Sequence, residues 1–295
     1  MRKYKNTPQL VQYQGSKRKI AKDITKYIKQ GKYKRLVEPF AGTCAITLEC
    51  ANQGLIENFW INDINKELID LLKECIMNPE RLATEYAVIW TKQFEEGTDP
   101  IEYFYSIRNR FNNGEVCPSM TLFILARVVK GAIRYNAHGE MNQSCDKRRT
   151  GTKPKEIQKR SQIISDLLKD RTITTHIDYK EVLSSVSSDD IIYFDPPYQG
   201  TTNSADTRYM QGINHKEFIK ELEKLNERGI DFIVSYDGLT GDKSFGEDLP
   251  EHLELTHLYI DAGRSAQATL NGRYSITYES LYLSKGLSID IIKEK

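Results

Sequence analysis

Residues 191–198 read Ile-Ile-Tyr-Phe-Asp-Pro-Pro-Tyr, and no other stretch of the chain limits its fold as much. Four β-forming side chains in a row suit a strand buried on both faces. The two prolines then stop it, because each fixes φ at about −65° and removes an amide donor. Asp195 is left at the carboxyl end of the strand, which is where open α/β sheets hold their ligands. Its carboxylate and the Pro196 carbonyl become two fixed acceptors, a pair that suits one NH2 group, while Tyr198 can stack on a planar ring. A plain strand-ending turn is the alternative, so the neighbouring segments decide.

Arg35 to Gly42 predicts a short buried strand that breaks at Pro39 into a glycine turn, followed by a helix from Ala45 to Asn52. Phe59 to Asp63 predicts a second strand, ending in an acid 21 residues after Gly42, with a helix from Lys66 to Met77 behind it. This is a β-α-β unit in which Gly42 lets the backbone approach a ligand and Asp63 can accept ribose hydroxyls. An amphipathic helix is expected over Lys19–Gln30, with Ile20, Ile24, Tyr27 and Ile28 on one face. From about residue 68 to 165 the spacing is helical, as in Ile101–Asn112 and Ser119–Ile133, and residues 138–155 form a polar, basic loop or hairpin. Strands return at Thr172–His176, Asp190–Phe194 and Asp231–Tyr236, with a helix at His215–Arg228. Leu253–Ile260 and Ile276–Ser284 alternate like an antiparallel pair. The expected organisation is an α/β catalytic domain made of residues 1–67 and 166–295, with residues 68–165 as an inserted, mainly helical domain.

The net charge of +1 hides an asymmetry. Residues 1–35 carry 12 Lys/Arg and one acid, and residues 104–160 carry 12 against four acids, which leaves the remainder strongly acidic. Two basic segments on an acidic body fit a phosphate backbone as partner; solvated lysines are the alternative. The five cysteines are scattered without a C-x-x-C pair and the five histidines lack ligand spacing, so neither a disulfide frame nor a metal site is expected. No apolar run is long enough to span a bilayer, and a reducing cytoplasm fits the cysteine usage.

With these motifs in order, nearly the whole chain resembles the Dam-type DNA adenine-N6 methyltransferases of class alpha (D12). Tyr13-Gln-Gly-Ser-Lys17 is similar to the family's amino-terminal element, which implies that Tyr13 and Lys17 touch the cofactor, Lys17 facing its methionyl carboxylate. Glu38-Pro-Phe40-Ala-Gly42 matches the cofactor loop, Asn62-Asp63 the ribose-binding acid, and Asp195-Pro196-Pro197-Tyr198 the catalytic loop, with Asp195 also near the cofactor. The resemblance implies a Rossmann-like methyltransferase sheet, S-adenosylmethionine as methyl donor, and a target adenine flipped out of double-stranded DNA onto Asp195, Pro196 and Tyr198. Bacterial or phage origin, a cytoplasmic setting, a cognate restriction endonuclease as a further partner and a sufficient monomer belong to the same expectation; no metal and no membrane are implied.

Gly131-Ala-Ile-Arg134-Tyr-Asn136 to Asn142 resembles part of the family's target-recognition region, which makes Arg134 and Asn136 candidates for DNA contact. Arg134 can read guanine, hold a phosphate, or pair with Glu140 on the surface. Lys130 stands where the family has asparagine, and with Lys147, Arg148 and Arg149 it is a candidate for phosphates. Arg264 opens a stretch similar to a late basic loop of the family, and Tyr236 is either a wall of the target-base pocket or an ordinary strand-end aromatic. Cys44 replaces a second cofactor-loop glycine and is expected to be a packed small residue. The recognition sequence is therefore left open. Methylation of another planar amine, in RNA or a protein glutamine, and a DNA-binding homologue without turnover are the competing functions.

Overall fold

The computed structural model describes residues 3–129, 131, 133–197, 213–240, 243–244, 248–264 and 276–287. Tyr198 and Lys130 lie outside the described residues, as does the side chain of Arg264. Within them, five strands run parallel: β1 (Arg35–Glu38), β2 (Asn58–Asn62), β3 (Thr172–Thr175), β4 (Asp190–Phe194) and β5 (Asp231–Thr240). The short β6 (Lys243–Ser244) pairs with β5, and β7 (Thr256–Arg264) and β8 (Ile276–Leu283) complete the sheet. The order is β3-β2-β1-β4-β5-β8-β7, with β8 antiparallel to both of its neighbours. Strand order reverses between β1 and β4, which opens a crevice beyond their carboxyl ends.

Both faces of the central strands are covered, which is why they read as apolar runs. Leu36, Phe59, Ile61, Ile191, Tyr193 and Ile233 belong to one buried cluster, shared with α1 (Ala21–Thr25), α2 (Ala45–Gln53) and α3 (Lys66–Met77). The alternate residues Val37, Trp60, Ile192, Phe194, Phe232 and Val234 belong to a second cluster, packed by α8 (Tyr179–Ser184) and α9 (His215–Glu227). The period-2 alternation of each strand thus sorts its side chains between two helical layers. This is the Rossmann-like sheet expected from the sequence.

Between β2 and β3 lie α4 (Pro79–Lys92), α5 (Pro100–Asn112), α6 (Pro118–Arg127) and α7 (Pro154–Leu168), each opened by a proline in its first turn, where a missing amide costs nothing. They share the first cluster, so the helical stretch is rooted in the same core as the sheet. Two expected helices are shorter. The helix of residues 19–30 is a 3₁₀ turn at Lys17–Lys19 followed by α1, though Ile20, Ile24 and Ile28 are buried on one face as expected. The helix expected to reach Ile133 stops at Arg127, where Val128 turns extended and forms an antiparallel bridge with Cys145. Two successive β-branched residues, Val128 and Val129, favour that exit. A second bridge, Tyr135 to Met141, closes a small loop over residues 136–140.

Candidate active site

Three carboxylates end three neighbouring strands: Glu38 on β1, Asp63 after β2 and Asp195 after β4. They line one cavity of about 720 Å³, together with Tyr13, Lys17, Phe40, Gly42 and Pro196. A volume of this size suits a cofactor rather than a solvent molecule.

Asp63 fastens the glycine turn. One carboxylate oxygen accepts the Gly42 amide at 2.9 Å and the other the Asn65 amide at 3.0 Å, and the Asn65 side chain caps α3 through the Leu68 amide. Burial raises the Asp63 carboxyl above the ordinary carboxylate range, against the pull of these two amides. Its neighbour Asn62 is buried and ties three strand ends together, donating to the carbonyls of Pro39 and Ile177 and accepting from Thr175 Oγ1 and the Ile177 amide. Gly42 has φ of 50°, and the next left-handed residue is Cys44, at φ 48°. Cys44 therefore keeps the backbone path for which a glycine is expected, and its side chain is wholly buried. Burial pushes its thiol well above the ordinary range, which fits a packed residue and not a nucleophile.

Glu38 is 2% exposed and accepts the Thr47 amide in the first turn of α2 at 2.6 Å. Burial pushes its carboxyl up to about 8, with the Asp195 charge adding to the rise. Phe40 packs on Tyr179 with ring centroids 5.1 Å apart and forms an apolar wall. Ile64 is 57% exposed beside Asp63 and lines the cavity, as does Ile177.

Asp195 meets Lys17. The ammonium sits 2.9 Å from Asp195 Oδ1 and equally 2.9 Å from Glu279 Oε1 of β8, and the lysine side chain is only 6% exposed. Burial pushes Asp195 up to about 6; Lys17 opposes that rise and Glu279 reinforces it. The lysine expected opposite a cofactor carboxylate is thus placed between two protein carboxylates. Tyr193, one residue inside β4, donates its hydroxyl to Ser235 Oγ at 2.8 Å.

The family model that matches residues 13–266 is the D12 class N6 adenine-specific DNA methyltransferase. The chain belongs to this family. Relatives include the retron Ec67 DNA adenine methylase of Escherichia coli, 28% identical over 87% of this chain and 84% of that one. The type II methyltransferase M1.LlaDCHI of Lactococcus lactis subsp. cremoris is 25% identical over 92% of this chain and 94% of its own length. A DNA N-6-adenine-methyltransferase of Escherichia phage P1 is 26% identical over 78% of this chain and 30% of the phage protein. As a D12 methyltransferase the protein is a DNA adenine-N6 methyltransferase with S-adenosylmethionine as methyl donor. No helix among the described residues is long and apolar enough to cross a membrane.

The expected DNA-contacting residues of this D12 enzyme divide into three groups. Arg134 is half-buried, with Nη2 at 3.5 Å from Gln14 Oε1, so it faces the segment that carries Lys17. Glu140, the alternative partner, is taken by Asn136 Nδ2 at 2.9 Å. Asn136 itself folds the 136–140 loop, its Oδ1 accepting the amides of His138 and Glu140. Lys147 is exposed, whereas Arg149 reaches Asp146 at 2.5 Å and Arg148 gives its amide to the same carboxylate. That turn hangs on the buried Arg127, which donates to the carbonyls of Arg149 and Pro100. Tyr236 is buried 4% exposed and bonded to His215 Nδ1, away from the cavity lining, as an ordinary core aromatic.

Several site residues escaped the sequence reading. Tyr135 lines the cavity and reaches Glu67 at 2.9 Å, linking the 131–142 stretch to α3. Gly131 approaches the Gln12 carbonyl so closely that a Cβ would lie 2.1 Å from its oxygen, and its own carbonyl accepts the Gln14 amide. Glu279 carried one signal, a charged residue in the interior of an alternating strand, where such residues are depleted.

Proposed function

We propose that the cavity holds S-adenosylmethionine along the ends of β1 and β2, and that the mouth beside Asp195 takes an adenine flipped out of double-stranded DNA. The observation that carries this reading is the meeting of Asp195 and Pro196 with the Asp63-anchored glycine turn in one cavity. The residues present fit such a group: Gly42 leaves the backbone bare, Ile64, Ile177 and Phe40 offer apolar walls for a planar base, and Asp63 is a half-buried carboxylate able to turn toward hydroxyls. When bound, the sulfonium supplies an electrophilic methyl.

The chain's own part is to hold the amine. Adenine N6 is a poor nucleophile because its lone pair is delocalised into the ring. Asp195 and the Pro196 carbonyl each accept one N6 hydrogen, which draws the nitrogen toward tetrahedral geometry and aims its lone pair at the methyl. Tyr198 stacks on the purine, and flipping costs about a few kcal/mol of unstacking. Tyr13 and Lys17 hold the methionyl side of the site. Residues 68–165 act as the target-recognition domain, with Arg134 and the Lys147–Arg149 turn on the DNA alongside Lys130 and Arg264. A monomer suffices for this chemistry, in the cytoplasm of a bacterium or of a phage host, with no metal, and a cognate restriction endonuclease is a compatible partner.

The test is transfer of tritium from labelled S-adenosylmethionine to duplex DNA, with the product mapped to N6 of adenine. Asp195→Asn is expected to lower the rate by about 10³-fold or more while DNA binding persists. Labelling of RNA or protein alone, or an active Asp195→Asn enzyme, refutes the reading.

A further inference from the structure

We propose that Glu279 is a positioning residue for methyl transfer: by sharing the Lys17 ammonium it leaves Asp195 a stronger hydrogen-bond acceptor than a lysine of its own would. The inference rests on Asp195 accepting an N6 hydrogen.

Three distant segments build the arrangement. Lys17 comes from the amino-terminal 3₁₀ turn, Asp195 follows β4, and Glu279 sits inside β8, paired in register with Ile260 of β7. Both carboxylates lie 2.9 Å from Nζ, and the side chains of Lys17 and Glu279 are 6% and 12% exposed. One ammonium therefore serves two carboxylates in a site with little solvent to screen them. Among the described residues, the other titratable groups around Asp195 are Glu38 from β1, whose charged form burial disfavours, and the Tyr193 phenol from β4. Neither supplies a positive charge, and the sharing of Lys17 weighs on the charge that Asp195 presents to the cavity. A lone Lys17–Asp195 pair would lower the proton affinity of Asp195 and, with it, its strength as an acceptor. Without Lys17, the charge of Glu279 would act on Asp195 unopposed by that ammonium and raise it further. Glu279 holds Asp195 between these limits.

The experiment follows kcat against pH on duplex DNA at saturating S-adenosylmethionine, together with cofactor affinity by calorimetry and a melting curve. Glu279→Gln is expected to move the acid limb to lower pH by about half a unit to one unit, with a lower plateau and with cofactor affinity and melting close to wild type. Glu279→Asp keeps the charge and should hold the limb near its wild-type position. An unmoved or raised limb in Glu279→Gln overturns the inference, as does a Glu279→Asp limb displaced to lower pH. Asp195→Asn separates the levels. If it still methylates, the role of Asp195 fails; if it is inactive while Glu279→Gln titrates like wild type, only the role of Glu279 fails.

Discussion

Strand β4 carries an acid at each end, and the two are treated in opposite ways. At its start, Asp190 takes both oxygens to one guanidinium, Arg35 Nε and Nη2 at 2.9 Å each, and also accepts the Ser187 amide. At its end, Asp195 has half a claim on a lysine. Acids at this edge are likewise taken up by donors: at the start of β5, Asp231 receives Lys32, the Tyr33 hydroxyl and the Ser284 hydroxyl, and Asp189, just before β4, receives Lys34. At the other strand ends, Asp63 accepts the Gly42 and Asn65 amides and Glu38 accepts the Thr47 amide. A planar fork satisfies a carboxylate and closes it to further chemistry, whereas a shared point charge leaves acceptor capacity over. The amino edge of the sheet is thus built for stability and the carboxyl edge for binding.

The basic leader divides along the same line. Lys32, Lys34 and Arg35 lie at the amino edge in ion pairs, remote from the strand ends that line the cavity. Only part of the positive charge counted in residues 1–35 is therefore available to a phosphate backbone at the site.

The largest way to break the contrast is Lys17→Met. Asp195 and Glu279 would then lose the ammonium they share, and the carboxyl of Asp195 would rise further above about 6. Methylation is expected to fall by about 10²-fold at neutral pH and to recover as pH rises, the opposite displacement from Glu279→Gln. A kcat profile that keeps its wild-type acid limb in Lys17→Met would remove the ammonium from the account.

At the other end of the strand, Asp190→Asn should leave turnover per folded molecule unchanged and cost stability instead. It orphans a guanidinium that is three-quarters buried and stacked 5.0 Å over Trp60. The expected loss is about 2–4 kcal/mol in a urea melt, with single-turnover methylation intact. A variant as stable as wild type, or one with a slow chemical step, would erase the distinction between the two edges.

What the sequence disclosed follows the same line. The strand-end acids were legible because each is local: Asp63 and Asp195 close apolar runs, and prolines or glycines mark the turn. Helix α3 was predicted to the residue because its apolar spacing is strong and Asn65 caps it. Glu279 could not be placed, because its partner depends on β8 inserting between β5 and β7, a crossing that no local pattern records. The exit of α6 at Arg127 was missed for the same reason, since the Val128–Cys145 bridge competes with helix continuation. Cys44 was legible as a departure from glycine, but only the backbone shows that the departure keeps φ positive.

The smallest effect sharpens the comparison at Glu38. Its folded value of about 8 lies above the ordinary 4.5, so folding favours the protonated form. The contribution is present at low pH and is lost as pH rises from about 4.5 through 8. Glu38→Gln imitates the protonated carboxyl and can still accept the Thr47 amide. The variant should match wild type near pH 4 and exceed it by a margin that grows as pH rises, to about 2–4 kcal/mol near pH 8 in urea melts. No such divergence is expected for a glutamate already closed by a cation. Glu74, whose carboxyl Arg81 holds below its ordinary value, is the internal control, and Glu74→Gln should be less stable than wild type throughout neutral and alkaline pH. Parallel pH dependence of Glu38→Gln and wild type would show that Glu38 is ionised when folded, and the carboxyl edge would then hold one more charge than its geometry supports.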